Sequence, residues 1–335
     1  MTHTFHRTLT ALAIAASAFA SIASSVHAQD LTGAGSTFIN PIMTKWAYDY
    51  KNESGTSVNY QSVGSGAGIN NLIDGTIDFA GSDAPMNADE RGRAKGAVIH
   101  LPAVIGAVAV AYNVNGIGTG LGFGGSELAD IFLGKIKYWD DPRIVARNPG
   151  KSLPHEMITI VHRSDGSGTT AIFTDYLAKV SADWKSQIGA GKTVNWPGGI
   201  GGKGSAGVAG VLKEKANSIG YVEFAYAQEN KLSYAAIDNG NGKYTYPSAE
   251  TAMEAANATD MPADMCTMIT NAPKGYPISG FSWLIVYQKS QKPAELKKFL
   301  KYVLTKGQKD TAPLWYAAVP DAVIHREMTM IDAIQ

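Results

Sequence analysis

Hydrophobic and polar positions along the chain follow two spacings in turn, and the change between them predicts alternating helices and strands. Residues 39–50 carry apolar side chains at helical spacing and are followed by Gly55, whereas Val58 and Tyr60 alternate with polar neighbours as in a strand. A late helix is predicted in the same way over 296–304. Alternation of this kind is typical of α/β folds.

The same patterns predict the middle of the chain. They give a short helix at 69–73 that ends at Gly75, strands at 77–80 and 157–161, a helix at 172–180, and a glycine-rich loop at 197–210 that leads into a helix through Lys215. Two longer apolar runs, 101–112 and 278–287, are typical of strands buried on both faces. Because these two runs are far apart in sequence, they predict a chain that crosses twice between two lobes.

The first 28 residues have the features of a secretory signal peptide. Arg7 supplies a positive charge, residues 9–23 are mostly Ala, Leu, Ile and Phe, and Val26-His27-Ala28 fits a cleavage site. We therefore expect cleavage after Ala28 and a mature protein in the bacterial periplasm. The single cysteine, Cys266, cannot form an internal disulfide.

Composition narrows the class of protein. Of 335 residues, 29 are Lys or Arg and 29 are Asp or Glu, so the basic excess of a typical nucleic-acid binder is missing. Hydrophobic residues make up 45% and charged residues 17%, which indicates an ample core. The 36 glycines, about 11% against roughly 7% in an average protein, direct attention to glycine-rich sites.

Three short stretches share one design, in which a strand end is followed by Gly, Ser or Thr and then by an amphipathic helix. They are 33–38, 64–68 and 165–170. Such helix starts offer unpaired N–H groups, hydroxyl donors and a positive dipole end, which together suit an anion. Arg163 adds a fixed positive charge beside the third stretch. The alternatives are ordinary helix capping for each stretch and a salt bridge for Arg163.

Other sites that use glycine fit poorly. Gly191-Lys192-Thr193 ends like a phosphate loop, but Ser186 stands where its first glycine is required. Residues 166–171 match a dinucleotide fingerprint without an obvious ribose-binding acid on a following strand. The sequence contains no Gly-x-Ser-x-Gly elbow and no zinc-binding pattern of His and Cys. No metal and no cofactor are expected.

An ordered set of motifs resembles a known family. The motifs that carry the resemblance are Leu31–Phe38, Lys45–Ala47, Val58–Gln61 with Gly64-Ser65, Asp78–Pro85, Leu133–Ile136 with Trp139-Asp140, Arg163–Thr169 and Ile219–Glu223. Together they resemble the periplasmic phosphate-binding proteins of phosphate-specific ABC transporters over essentially the whole mature chain.

The resemblance implies a fold and a ligand set. The fold is α/β, of the type II periplasmic binding protein kind, with lobe I formed by 29–104 and 277–335 and lobe II by 105–276. The implied ligand is inorganic phosphate, and the implied partners are an inner-membrane ABC permease and its ATPase; we expect a monomer. The implied phosphate ligands are Thr37, Phe38 (through its N–H), Ser65, Asp83, Arg163, Asp165, Ser167, Gly168 and Thr169.

The two aspartates need a chemical reason to lie beside an anion. Phosphate keeps a proton near neutral pH, its second pKa being roughly 6 even in esters, so an ionised carboxylate can accept that hydrogen, whereas sulfate offers none. Asp83 could instead belong to a turn before Pro85, and Asp165 could cap a helix or orient Arg163.

Three alternative functions remain from the sequence. They are a receptor for another oxyanion, an exported phosphatase, which would require a nucleophile and usually metal ions, and a surface adhesion or matrix protein that keeps the fold.

Overall fold

The computed structural model describes residues 30–240 and 242–335, so the predicted signal peptide lies outside the described residues. The strands of this part of the chain are β1 Leu31–Gly35, β2 Val58–Ser62, β3 Phe79–Ser82, β4 Val98–Asn113, β5 Gly122–Phe123, β6 Thr159–Arg163, β7 Ile200–Gly202, β8 Ser218–Glu223, β9 Ser233–Tyr234, β10 Ala236–Asp238, β11 Tyr244–Thr245 and β12 Ser279–Tyr287.

Helices alternate with most of these strands. They are α1 Asn40–Ser54, α2 Ser65–Asp74, α3 Ala88–Arg93, α4 Gly125–Phe132, α5 Pro142–Arg147, α6 Gly168–Val180, α7 Ala182–Gln187, α8 Gly204–Glu214, α9 Phe224–Glu229, α10 Ala249–Asn257, α11 Pro293–Leu304 and α12 Asp321–Asp332, with 3₁₀ turns at Lys306–Asp310 and Ala312–Leu314. None of the helices in the described ranges is long and apolar enough to cross a membrane.

The main sheet has the strand order β2-β1-β3-β12-β4-β8-β6-β7, and β9 adds to β4. On one side β1 pairs in parallel with β2 and β3. On the other side β6 pairs in parallel with β7 and β8. Antiparallel β12 and β4 lie between the two parallel groups and join them.

Strand β4 changes partners along its length. Its first part pairs with β12 from Val98 to Ala107, and its last part pairs with β8 from Val108 to Asn113. Every residue of β4 between its two ends is buried, as are the first eight residues of β12. The prediction of two long, doubly buried strands is therefore confirmed, and they connect two halves of an α/β sheet.

Local signals explain where the first helices end. Helix α1 stops at Gly55, whose φ of 77° lies in the left-handed region and whose N–H donates to the Lys51 carbonyl. Helix α2 ends in the same way at Gly75, with a φ of 79°. Both predicted stops are confirmed.

Three predicted boundaries were wrong. The strand expected at 77–80 is β3, at Phe79–Ser82, and the strand expected at 157–161 is β6, at Thr159–Arg163. The expected loop at 197–210 instead contains β7, and α8 already begins at Gly204. A side chain at Gly202 would lie 2.6 Å from the Val208 backbone, so glycine at this position allows α8 to pack directly on β7, the strand that precedes it.

Candidate anion-binding site

The candidate site lies where the carboxyl ends of two groups of parallel strands face each other. The chain leaves β1, β2 and β3 at one of these edges and β6 and β7 at the other, and helices α1, α2, α6 and α8 begin just beyond four of these strands. Ligand sites of open α/β sheets form at such edges, because loops and positive helix ends converge there. All nine sequence-predicted ligand residues lie in these turns or at their strand and helix ends.

Asp83 follows β3 and is 1% exposed. Its Oδ1 accepts hydrogen bonds from Ser36 Oγ at 2.5 Å and from Ser282 Oγ at 2.7 Å. Burial raises the pKa of Asp83 from 3.8 to about 6, although the two serine hydroxyls and the charge of Arg163 oppose the rise. This carboxyl group can therefore exchange a proton near neutral pH.

The other Asp83 oxygen faces the start of α6. A side chain at Gly168 would lie 2.7 Å from Asp83 Oδ2, so only glycine permits this approach. Ser65 Oγ lies between the same two residues and accepts hydrogen bonds from Gly168 N at 3.0 Å and Asp83 N at 3.3 Å. The structure thus brings Ser65, Asp83 and Gly168 together, although Gly168 comes from the opposite half of the sheet.

Arg163 ends β6 and is 4% exposed. Its guanidinium donates to both oxygens of Asp165, with Nε to Oδ1 at 2.8 Å and a terminal nitrogen to Oδ2 at 2.5 Å. Asp165 Oδ1 also accepts from Gly204 N at 3.0 Å. Burial alone would raise the pKa of Asp165, but the hydrogen bonds and charge of Arg163 hold it below its ordinary value. Asp165 therefore fixes the orientation of Arg163, one of the roles that the sequence left open.

Thr37 and Phe38 lie in the turn between β1 and α1. Thr37 Oγ1 lies 2.8 Å from Ser205 Oγ and accepts from Ser205 N at 3.1 Å. The Phe38 N–H donates to Ser36 Oγ at 3.0 Å. Through Ser36, the Phe38 backbone is connected to the Asp83 carboxyl group.

The first turn of α6 supplies the remaining predicted residues. Ser167 is the N-cap, and its Oγ accepts from Thr170 N at 3.1 Å, so its side chain serves the capping role that the sequence also allowed. Thr169 is 1% exposed, and its Oγ1 is buried without a hydrogen-bond partner in the structure. Because a buried polar atom without a partner costs free energy, Thr169 has a donor to offer a ligand.

Sequence reasoning missed three serines that organise the site. Ser36 stands inside the predicted 33–38 stretch, and its bonds to Asp83 and Phe38 appear only in three dimensions. Ser282 interrupts the apolar run of β12, and a lone hydroxyl in a doubly buried strand could have indicated a hydrogen-bonded partner. Ser205 follows Gly204 at the start of α8, inside the segment predicted to be a loop.

The arrangement suits a small tetrahedral anion that carries a proton. Helix starts, buried hydroxyls and an oriented guanidinium are donors, and one buried carboxyl group of raised pKa is an acceptor. Over residues 30–240 and 242–335, no group of three or more His, Cys, Asp or Glu side chains could hold a metal ion.

Comparison with known proteins identifies the class first. The model of the PBP superfamily domain matches residues 20–306, so the chain belongs to this superfamily of two-lobe binding proteins. Solved structures share the fold. The phosphate-binding protein PfluDING, solved with phosphate, aligns with a TM-score of 0.72 at 21% identity over 90% of this chain and 93% of its own. A phosphate-binding protein from Stenotrophomonas maltophilia aligns with a TM-score of 0.66 at 17% identity, over 90% and 93% of the two chains.

Sequence relatives then identify the family. The phosphate-binding protein PstS of Xylella fastidiosa, strain Temecula1, is 43% identical over 302 residues, which is 88% of this chain and 82% of that protein. PstS of Pasteurella multocida is 42% identical over 316 residues, covering 92% and 91% of the two chains. The chain belongs to the PstS family of phosphate-binding proteins, and the resemblance inferred from its motifs is confirmed.

Proposed function

We propose that this chain captures inorganic phosphate between its two lobes and delivers it to an ABC-type importer. The observation that carries the proposal is the Asp83 carboxyl group, which lies among buried donors from both halves of the sheet. Its raised pKa suits an acceptor for the hydrogen of a protonated oxyanion. The family to which the chain belongs supports phosphate as that oxyanion.

The proposed ligand set is the one implied by the motifs. Thr37, the Phe38 N–H, Ser65, Arg163 and the residues Ser167, Gly168 and Thr169 at the start of α6 donate to phosphate oxygens, and Asp83 accepts the phosphate hydrogen. The bidentate pair with Asp165 supports a positioning role for that aspartate, which holds Arg163 ready. Sulfate has no hydrogen near neutral pH, so a carboxylate in the pocket repels it.

The proposed lobes are 29–104 with 277–335, and 105–276. The exchange of partners along β4, from β12 to β8 after Ala107, supports a hinge in this strand. Lobes joined by two crossing strands can close on a ligand by hinge bending. The proposed site lies between them.

The proposed location is the periplasm, reached through the signal peptide at 1–28. There the closed, loaded monomer would meet an inner-membrane permease driven by an ATPase. We propose that the protein binds phosphate without catalysis, since the site contains an oriented guanidinium, that of Arg163, and hydrogen-bond donors, and we assign no residue as a nucleophile.

Titration calorimetry of the chain from Gln29 onward tests the proposal. Phosphate should bind one to one and raise the melting temperature, and sulfate should give no heat of binding. Arsenate and molybdate, titrated in parallel, test a receptor for another oxyanion. Undetectable phosphate binding would contradict the proposal, and release of phosphate from a generic phosphomonoester, abolished by a chelator, would favour the phosphatase.

A further inference from the structure

The peptide unit between Thr37 and Phe38 is held from the opposite half of the sheet. The Tyr226 hydroxyl donates to the Thr37 carbonyl at 2.9 Å, across 189 positions of sequence. Tyr226 is 8% exposed, so this bond is shielded from solvent. The motif at 219–223, which contributed to the resemblance, leads directly into the short helix α9 that carries this tyrosine.

A trans peptide unit is planar, and its carbonyl and N–H point in opposite directions. A donor that fixes the Thr37 carbonyl therefore also fixes the direction of the Phe38 N–H. That N–H points to Ser36 Oγ, which in turn donates to Asp83. Tyr226 thus contacts the carbonyl end of this peptide unit, opposite to its N–H.

Two tyrosines donate to neighbouring carbonyls of this turn, one from within the same proposed lobe and one from the other proposed lobe. Tyr316 donates to the next carbonyl, that of Phe38, at 2.6 Å. Both of these residues belong to proposed lobe I, and Tyr316 is held beside β4 by the backbone bonds between Ile105 and Ala317. Tyr226 belongs to proposed lobe II. Its bond therefore requires the two lobes to be together, as do the contacts between Thr37 and Ser205.

Glu223 stabilises the start of the helix that carries Tyr226. Its Oε2 accepts from Ala225 N at 2.7 Å and so caps the helix that carries Tyr226. The same oxygen lies 3.4 Å from the Tyr316 hydroxyl. The positions of the two tyrosines are thus linked through one buried carboxyl group.

We propose that Tyr226 is a positioning residue whose hydroxyl holds the Thr37 carbonyl when the lobes are closed and so fixes the direction of the Phe38 N–H at the anion site. The inference rests on the proposed function, since it requires phosphate to bind at this site. It adds a residue that touches no ligand but couples closure to the geometry of a backbone donor.

Tyr226→Phe tests the proposal, because it removes only the hydroxyl. Phosphate affinity should fall about tenfold, the order expected when a buried carbonyl loses its donor. The loss should lie in faster dissociation, measured by stopped flow, with the association rate nearly unchanged. In nuclear magnetic resonance spectra, the low-field shift of the Phe38 amide proton on phosphate binding should be smaller in the variant.

Tyr112→Phe is the matched control. Tyr112 is also buried, at 1% exposed against 8% for Tyr226, and its hydroxyl donates to the Gly118 carbonyl at 2.6 Å, with both residues in proposed lobe II. This variant should bind phosphate as tightly as the parent. Equal affinity and an unchanged Phe38 amide shift in Tyr226→Phe would overturn the inference, even when the parent binds phosphate normally. A parent that does not bind phosphate would instead refute the proposed function.

A measurement on the parent covers the case in which Tyr226→Phe does not fold. Addition of phosphate should move the Thr37 carbonyl carbon and the Phe38 amide proton together, because closure engages one peptide unit at both ends. A Thr37 carbonyl that stays unchanged while phosphate binds would also overturn the inference.

Discussion

Replacing Asp83 by asparagine should make the folded protein more stable and reduce its preference for phosphate over sulfate. The structure indicates that the fold accepts the change, because the asparagine oxygen can still accept from Ser36 and Ser282. Its amide nitrogen would then take the place of Oδ2, beside Gly168. The substitution removes the negative charge and turns an acceptor into a donor.

The stability gain follows from the raised pKa of Asp83. The folded protein holds the Asp83 proton more tightly than the unfolded chain, so the free energy of unfolding falls as the pH rises from 3.8 to about 6. Above pH 6 the free energy of unfolding falls no further, and at about 1.4 kcal/mol per pH unit the total loss amounts to about 3 kcal/mol. Asp83→Asn should therefore be more stable than the parent at pH 7.5 by about 1–3 kcal/mol. The two proteins should differ least near pH 4, as urea unfolding without phosphate can show.

Although Asp83→Asn should stabilise the fold, it should weaken phosphate binding. Loss of a charge-assisted hydrogen bond should weaken phosphate binding by about 1.5–3 kcal/mol. Sulfate should gain measurable affinity, since the charge that repels it is gone and an amide donor replaces it. Calorimetry with both anions at pH 7.5 measures the two changes.

Asp321→Asn serves as the control, because it makes the same chemical change at an exposed position on α12. It should alter neither anion affinity. If Asp83→Asn folds, gains no stability at pH 7.5 and excludes sulfate as well as the parent does, then the carboxylate of Asp83 is not the selectivity gate. Asp165 is then the first alternative to test.

Four further substitutions probe the site and its surroundings. Arg163→Ala should weaken phosphate by about 2–5 kcal/mol; unchanged affinity by calorimetry would place Arg163 outside the pocket. Thr169→Ala should weaken phosphate by about 1–3 kcal/mol without lowering the melting temperature of the phosphate-free protein, because its hydroxyl has no partner in the structure; a lower melting temperature with intact affinity would make Thr169 structural. Lys192→Met removes an ion pair of 2.8 Å to Glu90, which belongs to the other proposed lobe, and should weaken phosphate binding by about 1.5–3 kcal/mol, with X-ray scattering showing a less closed protein; an unchanged scattering profile and affinity would contradict this. Burial raises the pKa of Glu327 to about 9, so stability should fall as the pH rises from 4.5 toward 9, and Glu327→Met should be about 2–4 kcal/mol more stable than the parent at pH 7.5; denaturation curves that coincide at that pH would exclude a cost of keeping the buried Glu327 carboxyl group protonated.

The sequence predicted the parts of the fold that depend on local chemistry. Gly55 and Gly75 end helices because they adopt a positive φ that other residues rarely adopt, and such signals can be recognised in one segment. The two long apolar strands were found because burial on both faces leaves few polar positions. Strand β7 escaped prediction because Ile200-Gly-Gly has no alternation, and its pairing with β6 stabilises it from outside the segment.

The residues of the candidate site could be predicted from the sequence, but the hydrogen bonds that connect them could not. The Gly, Ser and Thr stretches indicate helix starts, which is why Ser65 and Thr169 were found. The contacts that give the site its properties join distant segments. Asp83 meets Ser282 because β3 pairs with β12, which comes far later in the chain, and Thr37 meets Ser205 because the two halves of the sheet face each other. The raised pKa of Asp83 likewise depends on burial that no local pattern specifies.

The place of β12 in the sheet has a consequence for the order of folding. This strand lies between β3 and β4, and its Trp283 pairs with Ser82 on one side and Pro102 on the other. Strands made early therefore stay separated until a segment near the end of the chain is inserted between them. Closing so long a loop costs chain entropy before any contact repays it, which makes assembly slow. Asp83 gains its bond from Ser282, 199 positions away, in that same late step. Completion of the candidate site thus waits until the chain has been made through β12, and in the proposed periplasmic role such slow folding would keep the polypeptide unfolded long enough to be exported.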